Sequence, residues 1–150
     1  MNTNDLRDWL QLSQTPGVGP QTFLKILYLN LPLQKVLENP ARLAPNIRLP
    51  AKTIEAIQQS NQKDALAIQW LESSSKHHII TFQDDAYPEQ LRHIPRPPMT
   101  LYAIGDINLL SSMQLAIVGT RKYSTYCEHN AKPFAKALAE EGYTITSGLA

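Results

Sequence analysis

Two short apolar runs with a helical stretch between them limit the architecture of this 150-residue chain more than any other feature. The first, Leu115-Ala116-Ile117-Val118, stops on Gly119 and continues through Thr120-Arg121 to Ser124. The second, Tyr143-Thr144-Ile145-Thr146, stops on Ser147-Gly148. Between them roughly Thr125–Glu141 reads as a helix, and Gly142 offers the left-handed conformation that closes a last turn. This order predicts a parallel β-α-β unit. Both of its strands end at the same sheet edge, where open α/β sheets bind ligands. Glycine lets a backbone approach a ligand closely, a helix start favours negative charge, and arginine holds a phosphate through two parallel hydrogen bonds. The junctions Gly119-Thr120-Arg121 with Ser124, and Ser147-Gly148, are thus candidates for binding an anion. The Gly-x-Gly-x-x-Gly spacing of dinucleotide sites is missing, and no Gly-Lys-Ser/Thr follows as in a Walker loop. Thr125-x-x-Glu128 fits a capping box, with Ser124 as the alternative N-cap.

The rest of the chain divides by character. Leu6, Trp9 and Leu10 share a helical face, as do Phe23, Ile26 and Leu27, followed by Leu33/Val36/Leu37, Ile54/Ile57 and Leu66/Ala67/Trp70/Leu71. Turns at Pro16-Gly17, Asn39-Pro40, Pro45-Asn46 and Leu49-Pro50 separate them, which predicts a bundle of four or five short helices over residues 1–72. Ser73-Ser74-Ser75 marks an expected linker at 73–76. Beyond it, His78–Phe82 and Thr100–Ile104 have strand composition, and Pro95, Pro97 and Pro98 forbid a continuous helix between them. The expected fold class is α/β: a small helical domain, then the first part of a sheet over 77–150.

Composition narrows the function classes. Hydrophobic content of 43% with 18% charged residues indicates a soluble globular protein. A net charge of +1 announces no global basic field, although a local basic cleft needs none. One cysteine excludes an internal disulfide framework and fits a reducing cytoplasm, and no run is apolar and long enough to span a bilayer. Cys127 reads as a structural thiol. The histidines His77, His78, His93 and His129 match no metal-ligand spacing, so neither metal nor cofactor is expected. Asp84-Asp85 reads as a strand-terminating turn. The pairs Glu128/Lys132 and Lys136/Glu140 read as a solvated helix face.

Thr15-Pro16-Gly17-Val18-Gly19-Pro20 admits two readings. It is a tight connection between helices that needs glycine for geometry, or a helix-hairpin-helix turn whose N–H groups meet a DNA phosphate, with Lys25 as the one nearby cation. Gly17, Gly19 and Lys25 are the secondary candidates for DNA contact.

Taken in order, the segments Gly17–Pro20, Asp85-Ala86-Tyr87-Pro88-Glu89-Gln90-Leu91, Ile94–Tyr102, Gly105, Ile117–Arg121, Ser124, Tyr126 and Ser147-Gly148-Leu149-Ala150 resemble the DprA/Smf family of bacterial transformation proteins. The resemblance implies a helical domain of sterile-alpha-motif type followed by an extended Rossmann-like domain. It implies single-stranded DNA binding and loading of the RecA recombinase, with Gly119, Thr120, Arg121, Ser124, Ser147 and Gly148 in a phosphate pocket. The family pattern continues past Ala150 with a Gly-Ile-Asp segment, so an N-terminal fragment is expected, with RecA contact and self-association lying in regions outside it. Cys127 stands where the family usually has glycine, and Pro133 is expected to kink its helix. A nucleotide-binding enzyme, such as a nucleoside-monophosphate phosphoribohydrolase, is the alternative, with Glu128 as its nearby carboxylate. A third reading makes the helical half a protein-interaction module.

Overall fold

The computed structural model describes residues 3–43, 47, 49–59 and 63–148, in two compact units, 1–107 and 108–150. The Pro45-Asn46 break, the Glu128 side chain of the expected capping box, and Leu149-Ala150 lie outside the described residues.

The first unit opens with helices α1 (Thr3–Ser13), α2 (Pro20–Tyr28) and α3 (Leu33–Glu38), a 3-10 turn at Pro40–Leu43, and helices α4 (Ala51–Gln58) and α5 (Lys63–Glu72). Their apolar positions recur at helical spacing and meet in one core of Trp9, Leu12, Phe23, Ile26, Val36 and Ile57. The Trp9 and Phe23 rings meet edge to face, centroids 4.7 Å apart. Two strands follow, β1 (His77–Thr81) and β2 (Thr100–Ile104), paired antiparallel with Ile79 opposite Tyr102 and Thr81 opposite Thr100. A single turn of helix, α6 (Glu89–Arg92), lies between them.

These strands belong to the helical core. The Trp9 indole N–H donates to the Met99 carbonyl and to Thr100 Oγ1, each at 3.1 Å. Met99 joins the main core, and Ile79 packs against Leu10, Ala67 and Ile68. The serine stretch expected as a linker sits inside this unit. Ser73 Oγ donates to the Trp70 carbonyl at 2.7 Å, and His77 stacks on the Trp70 ring at 4.3 Å. The compact division falls after Ile107, with Ile79 of β1 packed on Leu10, Ala67 and Ile68 and Trp9 hydrogen-bonded to Thr100 of β2.

The connection from β1 to β2 is held by its own side chains. Asp84 Oδ2 accepts from Thr81 N at 2.7 Å and from Thr81 Oγ1 at 2.8 Å, ending the strand as expected. Arg92 donates to the Phe82 and Asp84 carbonyls, and its guanidinium lies 5.0 Å from the Phe82 ring centroid and 5.1 Å from that of Tyr87. Tyr87 in turn donates to the Pro98 carbonyl at 2.8 Å. Burial raises the Tyr87 phenol above its ordinary pKa, against the opposing pull of Arg92. The Asp84–Arg92 segment therefore closes a loop around the buried Tyr87 ring and the partly buried Phe82 ring.

The second unit carries β3 (Gln114–Ala116), α7 (Thr125–Glu140) and β4 (Thr144–Thr146). β3 and β4 pair in parallel, Gln114 with Thr144 and Ala116 with Thr146, so the β-α-β reading holds. Ser124 is the N-cap of α7, its Oγ accepting from Cys127 N at 3.3 Å. At the other end Gly142 has φ +90°, with Gly142 N–H to the Ala139 carbonyl at 3.0 Å and Tyr143 N–H to the Leu138 carbonyl at 3.1 Å. That pair of bonds satisfies carbonyls the last turn leaves open. α7 runs as one element through Pro133. The fold is mixed α/β, with two two-stranded sheets among the described residues.

Candidate nucleic-acid interface

The parallel register sets the site. Because β3 and β4 run in the same direction, their carboxyl ends lie together, tied by Ile117 N–H to the Thr146 carbonyl at 2.9 Å. Just beyond these ends opens a cavity of about 340 Å³. Gly119 and Thr120 line it from the first junction, Ser147 and Gly148 from the second, and Tyr123, Cys127 and Lys132 close it from the α7 side. Four of the six residues expected at the phosphate pocket thus share one cavity.

Arg121 and Ser124 stand apart from that lining. Arg121 is exposed beside the cavity and makes no hydrogen bond or ion pair among the described residues. Ser124 uses its oxygen for the helix cap, and its hydroxyl donates to Cys127 Sγ at 3.3 Å. Thr120 Oγ1 donates to the Lys122 carbonyl at 2.7 Å, which fixes the turn. Lys132 is a cation at the cavity, although its i,i+4 spacing from Glu128 suggests only a solvated face. The signal for it is its place next to Ala131, a full turn beyond Cys127, on the face that the cavity uses.

Gly119 is not there to relieve strain. Its φ lies outside the left-handed region, and a Cβ added at Gly119 or at Gly148 meets nothing within 4 Å among the described residues. The space in front of these backbones is open, as close approach by a ligand requires.

The hairpin is different. Gly17 has φ +88°, and an added Cβ would run into Thr53 Oγ1 and stand 3.3 Å from Thr53 Cβ. Val18 is buried, and its N–H bonds the Thr15 carbonyl at 3.0 Å, turned inward. Gly19 is the N-cap of α2, with Pro20 at the first helical position, and Lys25 is exposed further along. The glycine requirement at Gly17 comes from packing.

Three of the four histidines are occupied singly. His77 stacks on Trp70, His78 Nε2 lies 3.0 Å from the Gly105 carbonyl, and His93 lies 3.1 Å from Glu89. Among the described residues no cluster of His, Cys, Asp and Glu has metal-binding geometry, and no helix is long and apolar enough to cross a membrane.

Comparison with known proteins adds an independent line. Residues 78–150 match the model of the DNA recombination-mediator protein A family. The chain is 38% identical over 104 residues to Protein Smf of Escherichia coli (strain K12), an alignment covering 69% of this chain and 25% of that protein. It is 34% identical over 155 residues to Protein Smf of Synechocystis sp. (strain ATCC 27184 / PCC 6803 / Kazusa), covering 95% of this chain and 37% of that protein. With the DNA processing protein DprA of Bacillus subtilis (strain 168) it shares 38% identity over 74 residues, covering 49% of this chain and 25% of that protein. The chain spans between a quarter and somewhat over a third of the length of these relatives. Likeness along both compact units, in the order in which the motifs fall, makes this chain a member of the DprA/Smf family.

Proposed function

We propose that this chain supplies part of a single-stranded-DNA-binding recombination mediator, and that the cavity at the ends of β3 and β4 receives a backbone phosphate. The observation that carries the reading is the shared cavity of Gly119, Thr120, Ser147 and Gly148, open in front of two glycines with Lys132 in its wall. Exposed backbone at two strand ends offers donors to phosphate oxygens, and Lys132 adds charge. Arg121 stands beside the cavity, ready to take an adjacent phosphate along the same strand. Ser124 acts by holding the start of α7 in place. In this reading the helices of residues 1–72 are of sterile-alpha-motif type, and the β-α-β unit opens an extended Rossmann-like sheet. The whole protein would load RecA on incoming DNA in the cytoplasm and self-associate. Gly17 and Gly19 serve the helix connection, with Lys25 left as a secondary DNA contact.

The enzymatic alternative loses its ground, because the family is one of recombination mediators and not a known enzyme family.

The test is an anisotropy titration of a fluorescent thymidine oligonucleotide, comparing Arg121→Ala with the unchanged protein. Removing one charge-assisted hydrogen bond to phosphate from an exposed position predicts about tenfold weaker binding, alike for all base sequences. Arg121→Lys should recover part of it, since lysine lacks the planar fork. Unchanged affinity with an intact circular dichroism spectrum removes Arg121 from the interface.

A further inference from the structure

The first unit carries a groove with the opposite chemistry. The start of α1, the loop after α2 and Gln83 enclose a cavity of about 580 Å³, in which Asp5 and Asp8 face apolar surface from Leu27, Leu31 and Leu33. None of the residues lining it is cationic. A neighbouring cavity of about 490 Å³ shares Leu27, Asn30 and Gln83 with it and is lined in addition by Tyr28 and by Arg92, whose guanidinium is held by the Phe82 and Asp84 carbonyls. Tyr28 is 80% exposed and Leu31 46%. Asp8 is half-buried and has no hydrogen bond or ion pair among the described residues. Burial, and then the Asp5 and Glu38 carboxylates, raise its carboxyl above the ordinary value.

Within the 580 Å³ cavity a nucleic-acid phosphate would face two carboxylates and no cation, which disfavours it there. A protein segment with lysine or arginine heads and apolar stems satisfies both chemistries at once: the heads reach Asp5 and Asp8, and the apolar stems cover Leu31 and Tyr28. An exposed tyrosine beside an apolar pocket is also the kind of residue that carries binding energy at protein interfaces. We propose that this groove of the first unit docks a basic, amphipathic segment of a partner protein, while DNA is taken by the second unit.

The experiment uses the whole chain and, as probe, a short fluorescent amphipathic peptide of lysine and leucine, with a glutamate-and-leucine peptide as its counterpart. The lysine peptide should bind, and Asp8→Lys should weaken it about tenfold or more, the equivalent of one ion pair made repulsive. Asp5→Lys should act in the same direction, so a fold defect in either variant, checked by circular dichroism, leaves the other to decide. Leu31→Ser should also weaken binding. Glu55→Lys on α4, outside the groove and matched in charge, should leave it unchanged. Equal loss in Glu55→Lys and Asp8→Lys would reduce the binding to bulk charge and overturn the proposal. So would equal affinity for the glutamate peptide, or oligonucleotide-induced amide shifts at Tyr28 and Leu31.

Discussion

Gly17→Ala separates the two readings of the hairpin, and the structure sets its size. At φ +88° an alanine carries the left-handed penalty, about 1–2 kcal/mol. Its Cβ would also enter the space of Thr53 Oγ1, on a buried side chain of α4 that cannot swing into solvent. Overpacking of that kind costs about 1–3 kcal/mol. Alanine lowers the entropy of the unfolded chain, which offsets about 0.4–1 kcal/mol. The net expectation is a loss of about 2–4 kcal/mol, read as a lower urea midpoint for the first unit at unchanged slope. Pairing it with Thr53→Ala isolates the clash: the double variant should recover the overpacking part and keep the backbone part. A loss below about 0.5 kcal/mol, within the usual range of surface substitutions, would refute the packing argument. If DNA affinity fell instead, the hairpin would be a phosphate contact.

Trp9→Phe removes an indole that donates to both Met99 and Thr100, and leaves space in a fully buried site. It should cost about 2–4 kcal/mol, lost in one transition for helices and strands together; separate transitions would show that residues 1–72 fold apart from β1 and β2. Asp8→Asn tests the carboxylate cluster through pH. A carboxyl whose pKa is raised on folding favours the native state fully when protonated, below its unfolded value, and loses that advantage as pH rises through the folded value. Asparagine should therefore raise the urea midpoint at neutral pH relative to the unchanged protein, with the difference vanishing well below the ordinary carboxylate range. A difference of equal size at both ends would assign the effect to shape, not charge.

The β-α-β unit was legible because its signals are local. Apolar runs stop on glycine, Gly142 closes α7 in the left-handed conformation, and Ser124 sits where a cap belongs. The helical half was legible in the same way, by spacing along each helix. What spacing could not show is where distant segments meet. The bonds from Trp9 to Met99 and Thr100 join residues some 90 apart in sequence, and they tie the start of β2 to the helical core. A polar serine stretch looks like a linker until His77 is seen stacked on Trp70 across it. The Arg92 clamp on Phe82 and Tyr87 was hidden for the same reason, since cation, rings and carbonyls come from different turns. At the candidate site the strand-end residues were readable, whereas Lys132 needed the helix phase that only the packed unit supplies. Gly119, read from the sequence as a point of close approach to a ligand, stands in open, unstrained geometry.

DNA phosphate is proposed to meet the ends of β3 and β4. Amide chemical shifts of the isotopically labelled chain, followed during titration with a thymidine oligonucleotide at moderate salt, test it most directly. Gly119, Thr120, Ser147 and Gly148 should shift together along one binding curve, which should weaken steeply as salt rises. Shifts centred on Gly17, Gly19 and Lys25, with the strand-end amides unmoved, would contradict it.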